Sequence, residues 1–169
     1  MANNTTLAAL AKTGEIASIE QVNLDGSTSA QFYTAGTPAY TEDVAVGGGS
    51  IAFTADKSGV TIAATSAGGE TFTAGHGDTF AFDAGFGADT VTHFLATGQT
   101  HDVLEFGLSC FSYMNSTMSQ AQDWNALLSN SGLTSTAGGA MITDTHGDTL
   151  TLDGVAKTTL ALADFRFVA

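Results

Sequence analysis

The chain has 169 residues, of which 17 are acidic and four are basic, and its net charge at pH 7 is −13. A field of that sign repels nucleic acid and anionic membrane surfaces and attracts cations, so neither nucleic acid nor a membrane is expected as a partner. Hydrophobic residues nevertheless make up 43% of the chain and charged residues only 12%, which indicates a packed core rather than a solvated acidic tail.

The N-terminal stretch, residues 1–14, is expected to form a short helix or a loose end. It has no basic region followed by an apolar run, so it is not a secretory signal peptide, and no later apolar run is long enough to cross a membrane. Those absences alone predict a cytoplasmic protein. The stretches IASIEQVNL (16–24) and SAQFYTA (29–35) are predicted strands joined by the turn LDGST.

From residue 44 onward, large apolar residues recur at intervals of nine or ten. They are Val44, Phe53, Ile62, Phe72, Phe82 and Val91, and a glycine-bearing turn lies between each pair. A strand-turn unit of this length cannot bury its apolar face alone, but stacked units can, which favours a parallel β-roll or β-helix. An ordinary antiparallel meander has similar spacing and remains the alternative.

Residues 112–131 change to helical spacing. One amphipathic helix of roughly three turns is expected, capped by Ser116 or Ser119 and ending at Gly132. The residues that follow the helical spacing are Met114, Met118, Ala121, Trp124, Leu127 and Leu128. The face that they form is expected to pack against the sheet. The stretch AMITDTHGDTLTLDGV then predicts a C-terminal β-hairpin, followed by a helical turn and an apolar end. The expected fold is therefore mostly β, with one packing helix.

The chemically distinctive stretch is AGHGDTFAFDAGFGADT, residues 74–90. Its glycines permit sharp turns that expose backbone carbonyls, and Asp78, Asp83 and Asp89 add carboxylates. Ca²⁺ prefers about six to eight oxygen ligands of these two kinds. The structural alternative is that each Asp caps its turn by accepting backbone hydrogen bonds. The repetition in an acidic chain favours Ca²⁺.

Sequence patterns that would indicate an enzyme are weaker than the pattern that indicates Ca²⁺ binding. His76, His93, His101 and His146 could form a zinc site of a hydrolase with nearby Asp residues, but no HExxH motif is present. Asp102 and Glu105 could serve as a glycosidase pair only at a suitable separation. Cys110, the only cysteine, is expected to be a buried small hydrophobe. A non-enzymatic protein is the expectation.

The stretch from Gly68 to Gly107, and GFGADTVTHF followed by HDVLEF in particular, resembles a degenerate segment of the repeats-in-toxin (RTX) family, the hemolysin-type calcium-binding β-rolls of secreted bacterial proteins. The resemblance covers residues 68–169, whereas residues 1–67 are expected to be strands that stack on the solenoid, with no assigned function. It implies Ca²⁺ bound between turns. The candidate metal-binding residues are Gly75, Gly77, Asp78, Asp83, Gly85, Gly87, Asp89 and Asp102.

The resemblance also implies export by a type I secretion machine and an extracellular destination without an N-terminal signal. The C-terminal signal would include Asp164, Phe165, Phe167 and Val168, with Arg166 as a departure from the usual pattern. Other departures are the shortened turn AGHGD, Glu70 in place of an Asp, and His93 in place of an Asp, which reduce the expected number of Ca²⁺ sites.

A third class of function is open. Thr-rich strands such as TFT, TVT and TLTL on a flat solenoid face would suit adhesion or surface assembly, with a surface glycan, ice or another copy of the chain as partner. Thr is also simply a favourable strand residue.

Overall fold

The computed structural model describes residues 18–22, 28–32, 51–54, 59, 61–64 and 69–169. The predictions for residues 1–14 and for Val44 lie outside these residues. The strands are β1 (Ser18–Val22), β2 (Thr28–Phe32), β3 (Ile51–Thr54), β4 (Thr61–Ala64), β5 (Thr71–Thr73), β6 (Thr79–Phe82), β7 (Ala88–Thr92), β8 (Val103–Gly107), β9 (Leu133–Ser135), β10 (Gly139–Thr143), β11 (Thr149–Asp153) and β12 (Phe165–Val168). Within these described residues there is one α-helix, α1, which spans Gln120–Ser129.

The strands form two sheets. The long sheet has the order β1-β2-β3-β5-β7-β11-β10-β9, and the short sheet has the order β12-β8-β6-β4. From β3 to β8, successive strands alternate between the two sheets. Within each sheet they pair in parallel with the strand two positions away in the chain, which excludes the antiparallel meander for this part.

Antiparallel pairs lie at both ends of the long sheet. β1 pairs with β2 at one end, and β9, β10 and β11 form an antiparallel unit at the other. The β10–β11 pair confirms the predicted C-terminal hairpin. A mostly β architecture with one packing helix is also confirmed, while the antiparallel ends depart from a uniform parallel stack.

The core lies between the two sheets because inward and outward residues alternate along each strand. Phe80 and Phe82 of β6 are buried while Thr79 and Ala81 are half-buried, as expected for strands with one face on the core. Aromatic rings from neighbouring strands of the short sheet stack on each other: the ring centroids of Phe82 and Phe106 are 5.3 Å apart. The predicted spacing is confirmed where it is described, since Phe53, Ile62, Phe72, Phe82 and Val91 each lie in a separate strand.

Helix α1 has the predicted length of about three turns and one of the two predicted caps. It begins after Ser119, whose hydroxyl accepts a hydrogen bond from the backbone N–H of Gln122 while the Gln122 side chain accepts one from the N–H of Ser119. This capping box fixes the start of the helix at Ser119 rather than Ser116. The left-handed residue after the helix is Ser131, with φ 57°, rather than Gly132. Trp124 packs on Phe165 of β12, 4.8 Å between ring centroids, as the core-packing prediction required.

The side chain of Gln120 joins α1 to the edge of the short sheet. Its Nε2 donates to the carbonyl oxygen of Phe167 at 2.6 Å, and its Oε1 accepts from the N–H of Phe167 at 2.8 Å. The amide thus satisfies one backbone donor and one acceptor of edge strand β12, as a neighbouring strand would.

Replacing Gln120 with Ala is expected to lower the free energy of unfolding by about 1–3 kcal/mol, because two partly buried backbone groups lose their partners. Chemical denaturation measures this change. Asn125→Ala, at an exposed position of the same helix, is the matched control. Equal stability of the two variants would contradict a role for Gln120 in holding β12.

Candidate functional site

Two carboxylates lie just before strands of the short sheet, and each accepts hydrogen bonds from backbone amides. Asp78 precedes β6 and Asp102 precedes β8, and both are fully buried. The Oδ1 atom of Asp102 accepts from the N–H of Asp78 at 2.9 Å, and its Oδ2 accepts from the N–H of Leu95 at 2.8 Å. Asp78 accepts from the N–H of Gly75 at 2.7 Å. These two predicted ligands are therefore brought together, as acceptors for turn amides.

A second pair of carboxyl groups belongs to the long sheet. Asp89 in β7 and Glu70 before β5 are each 2% exposed, and Asp89 Oδ1 accepts from the N–H of Glu70 at 2.9 Å. Burial raises the pKa of Asp89 to about 9; the side-chain hydrogen bond with Glu70 and the charge of Glu70 add to this effect, whereas the hydrogen bond from the Glu70 backbone opposes it. The pair therefore retains a proton at neutral pH.

The remaining predicted metal-binding residues are placed in the turns. Gly77, Gly85 and Gly87 have φ of 72°, 93° and 90°, a region that favours glycine. Asp83 is exposed at the end of β6, on a separate turn from both carboxyl pairs. Among the residues that the structure describes, no three His, Cys, Asp or Glu side chains are grouped so that they could hold a metal ion.

The sequence HGD occurs twice, at residues 76–78 and 146–148, and both copies form turns. Gly77 and Gly147 both have positive φ, 72° and 96°, and the following Asp accepts a backbone hydrogen bond in each copy. Asp148 Oδ2 accepts from the N–H of Gly85 at 2.7 Å, which ties the second copy to the turn between β6 and β7. The sequence analysis missed this use of Asp148, although the identity of the two phrases was a signal for it.

Asp144 was also missed. It is buried, and its Oδ1 accepts from the N–H groups of His146 and Asp148 at 2.7 and 2.9 Å. Its Oδ2 lies 3.2 Å from Nδ1 of His146. The carboxylate therefore closes the hairpin turn between β10 and β11, and local Asx chemistry is the reason.

The four histidines do not converge. His146 contacts Asp144, His101 contacts two backbone carbonyls, and His76 and His93 line one cleft of about 570 Å³. Asp102 and Glu105 are likewise engaged separately, since Glu105 forms an ion pair of 2.8 Å with Arg166 whereas Asp102 binds backbone amides. In the described part of the chain, the four histidines therefore do not form one zinc site, and Asp102 and Glu105 have separate partners.

Cys110 is fully buried, and its Sγ lies 3.6 Å from the carbonyl oxygen of Phe82. Burial raises the pKa of its thiol to about 12, and the nearby carboxylates Asp144 and Asp83 add to this effect. The reactive thiolate is therefore absent at neutral pH, and the prediction of a buried small hydrophobe is confirmed.

His101 connects a loop to the C-terminal segment. Its Nδ1 lies 3.0 Å from the carbonyl oxygen of Gly98, and its Nε2 lies 3.1 Å from that of Ala163. A neutral imidazole has a single N–H, so both hydrogen bonds require the protonated ring. These two carbonyls raise the pKa of His101, and the charges of Asp164 and Asp102 add to the effect.

The contact between His101 and Ala163 is expected to weaken with rising pH. Because the pKa is higher in the folded state than in the unfolded state, the stabilisation is complete below the ordinary His value near 6.5 and is lost as pH rises through the folded value. Hydrogen exchange of β12 amides measured on both sides of this range tests the effect. His101→Ala should remove the pH dependence; the same dependence in that variant would contradict the assignment.

The residues predicted to form a secretion signal are part of the folded core. Asp164, Phe165 and Phe167 are 1%, 5% and 4% exposed, and Val168 is half-buried. Asp164 accepts from the N–H of Ala161 at 2.7 Å, an arrangement that begins the turn leading into β12. Burial raises the pKa of Asp164 above its ordinary value.

Comparison with known protein families, with curated proteins and with solved structures finds no match for this chain. No helix in the described residues has the length and apolar character that a membrane crossing requires.

Proposed function

We propose that the chain is a non-enzymatic, secreted β-roll module of the repeats-in-toxin type, with folding linked to Ca²⁺ and export by a type I machine. The observation that supports this proposal is the strand order. From β3 to β8, successive strands alternate between the two sheets, and within each sheet a strand pairs in parallel with the next one added. In the long sheet, Phe53 lies opposite Phe72, and Phe72 lies opposite Val91. This is the stacking expected of a solenoid coil.

The Asp78–Asp102 and Glu70–Asp89 pairs differ in whether their carboxylate oxygens are free to bind Ca²⁺. Both oxygens of Asp102 already accept backbone hydrogen bonds, so the Asp78–Asp102 pair is suited to closing turns. The Glu70–Asp89 pair retains a proton at neutral pH, because the pKa of Asp89 is raised to about 9. Since metal ligands must be deprotonated, a cation that binds there would displace that proton. We therefore limit the calcium proposal to one Ca²⁺ site at this pair.

A melting experiment tests the calcium link. At pH 8, millimolar Ca²⁺ should raise the Tm above that measured in EGTA, because a ligand that binds only the folded state adds about 2.7 kcal/mol at a hundredfold excess over its Kd. Asp89→Asn should reduce the Ca²⁺ effect, while Asp148→Asn, at a half-buried turn position, serves as the control. An unchanged Tm in the unmodified chain would remove Ca²⁺ from the proposal.

The export part of the proposal has a structural consequence. Phe165 and Phe167 are buried between the core and α1, so a secretion machine could contact them only before the chain folds. Deleting residues 146–169 should abolish secretion from a host that carries a type I system. Continued secretion of the truncated chain would contradict this assignment of Asp164, Phe165, Phe167 and Val168.

The second candidate function is adhesion or surface assembly through the outer face of the long sheet. This Thr face consists of eight half-buried residues: Thr71, Thr73, Thr90, Thr92, Thr134, Thr143, Thr149 and Thr151. The register aligns Thr71, Thr90 and Thr151 in one row across three strands. In the described strands β5, β7, β9, β10 and β11, Asp153 is the only charged residue on this face, although the chain carries a net charge of −13.

An uncharged, regular face would suit a neutral partner surface such as a polysaccharide, ice or another copy of the chain. Thr90→Lys places a charge at the centre of the face and should abolish binding to such a surface in pull-down and ice-affinity assays, while Thr158→Lys, at an exposed position in the segment after β11, should not. Equal binding by the two variants would exclude the Thr face as the contact.

A further inference from the structure

We propose that the cleft at the carboxyl ends of β5, β7 and β11 binds a neutral sugar unit of a glycan. Its volume of about 570 Å³ is within the range of small-molecule sites in proteins. The polar side chains around it include His76, His93 and Asp153. The proposal deepens the adhesion candidate, but its site lies at the edge of the Thr face and can be tested separately from it.

The topology explains why these side chains meet. The three strands are parallel neighbours, and the register pairs Thr73 with Thr92 and Val91 with Leu152. The residues that follow, Ala74, His93 and Gly154, therefore lie side by side at one edge, about 4.8 Å apart between adjacent strands. Asp153 lies on one side of His93, and the turn that carries His76 lies on the other.

The polar groups of the cleft are available to a ligand. Among the described residues, no hydrogen bond involves the side chains of His76, His93 or Asp153, whereas His101 and His146 are both engaged. A carboxylate only accepts hydrogen bonds, and a neutral imidazole offers one donor and one acceptor. Hydroxyl groups, which both donate and accept, are the ligand groups that match this set.

Charge narrows the class of ligand. Among the described residues that line the cleft there is no Lys or Arg, and the net charge of −13 opposes anions. The apolar part of the lining, which includes Ala74, Phe94 and Val155, would contact the C–H surface of a sugar ring. A neutral ligand with many hydroxyls and an apolar ring face is therefore the best match.

The backbone of His93 supports a functional role for its side chain. Its φ is 61°, a left-handed conformation that most side chains disfavour and that glycine adopts without strain. Strain of this kind is common where a side chain contacts a ligand. His93→Gly is accordingly expected to raise the Tm while it weakens ligand binding, and a purely structural residue would change the Tm alone.

An NMR titration of the full chain with the methyl glycosides of glucose, galactose, mannose and N-acetylglucosamine tests the proposal. We expect saturable shifts for at least one sugar, confined to residues 73–76, 92–94 and 153–155. Asp153→Asn and His93→Gly should each weaken binding about tenfold, as the loss of a hydrogen bond to a charged or strained group predicts. His146→Gln, outside the cleft, should bind as the unmodified chain does.

The proposal would be overturned if none of the four sugars gave a saturable shift, if the shifts lay outside the cleft, or if the Asp153→Asn and His93→Gly variants bound the sugar as tightly as the unmodified chain. Saturation by Zn²⁺ without saturation by a sugar would also overturn it and would indicate a cation site. Thr90→Lys separates the two surfaces. If it abolishes binding to extended surfaces but leaves sugar affinity unchanged, the cleft acts independently of the Thr face.

Discussion

Raising the pH from about 5 to about 8 is expected to destabilise the folded chain by about 1.4 kcal/mol per pH unit through the Glu70–Asp89 pair. The pKa of Asp89 is about 9 in the folded chain and near 4 in an unfolded one. Between these values, the folded chain holds a proton that the unfolded chain has released. The stabilisation is therefore complete below pH 4 and is lost as the pH rises through 9.

Denaturant unfolding at several pH values, without divalent cations, measures this slope. Asp89→Asn should flatten it, because an amide keeps an oxygen that accepts from the N–H of Glu70 but carries no titrating proton. Asp153→Asn, at an exposed position, is the matched control and should retain the slope. A slope that persists in the Asp89→Asn variant would assign the pH dependence to other groups.

The effect of Ca²⁺ on the pH slope shows whether the Glu70–Asp89 pair binds Ca²⁺ or only retains a proton. If Ca²⁺ replaces the shared proton, added Ca²⁺ should flatten the pH slope of the unmodified chain and leave that of Asp89→Asn unchanged. If the pair only stores a proton, Ca²⁺ should leave both slopes unchanged. The first outcome would support the proposed link between Ca²⁺ and folding, and the second would indicate that the protonated pair stabilises the fold without Ca²⁺.

Gly139→Ala is expected to be the most damaging single substitution in the C-terminal hairpin. Gly139 has a φ of 145°, and a Cβ placed on it would lie 2.1 Å from the carbonyl oxygen of Leu152 and 3.1 Å from the nitrogen of Gly154. Both neighbours are backbone atoms, so a change of side-chain conformation cannot relieve the clash. We expect a loss of about 3–5 kcal/mol in the free energy of unfolding.

Gly154→Ala provides the control in the same hairpin. Gly154 also has a positive φ, 74°, but a Cβ there would meet nothing within 4 Å. Its substitution should cost only the backbone strain, about 1–2 kcal/mol. Thermal or urea unfolding compares the two variants, and similar losses for both would show that the close approach of Leu152 to Gly139 is not the cause.

Much of the β architecture could be anticipated from local patterns. The alternation of Thr with Phe or Leu in TFAF and TLTLD marks strands with one buried face, and glycines such as Gly85 and Gly87 mark turns that require positive φ. These features depend on a few neighbouring residues, so the amino-acid sequence alone is enough to predict them. The start of α1 is also local: Ser119 was one of the two predicted caps, and its capping box with Gln122 selects it over Ser116.

The order of residues accounts for where carboxylates occur, but not for what each one does. Asp78 accepts from Gly75 nearby, while Asp89 is paired with Glu70, 19 residues away, and Asp148 with Gly85, 63 residues away. Such partners are set by the parallel register of the strands. A turn carboxylate has the same local sequence whether it binds a cation, a proton or a neighbouring amide, and packing of one strand-turn unit on the next selects among them. For the same reason, the cleft of His76, His93 and Asp153 is visible only once β5, β7 and β11 lie side by side.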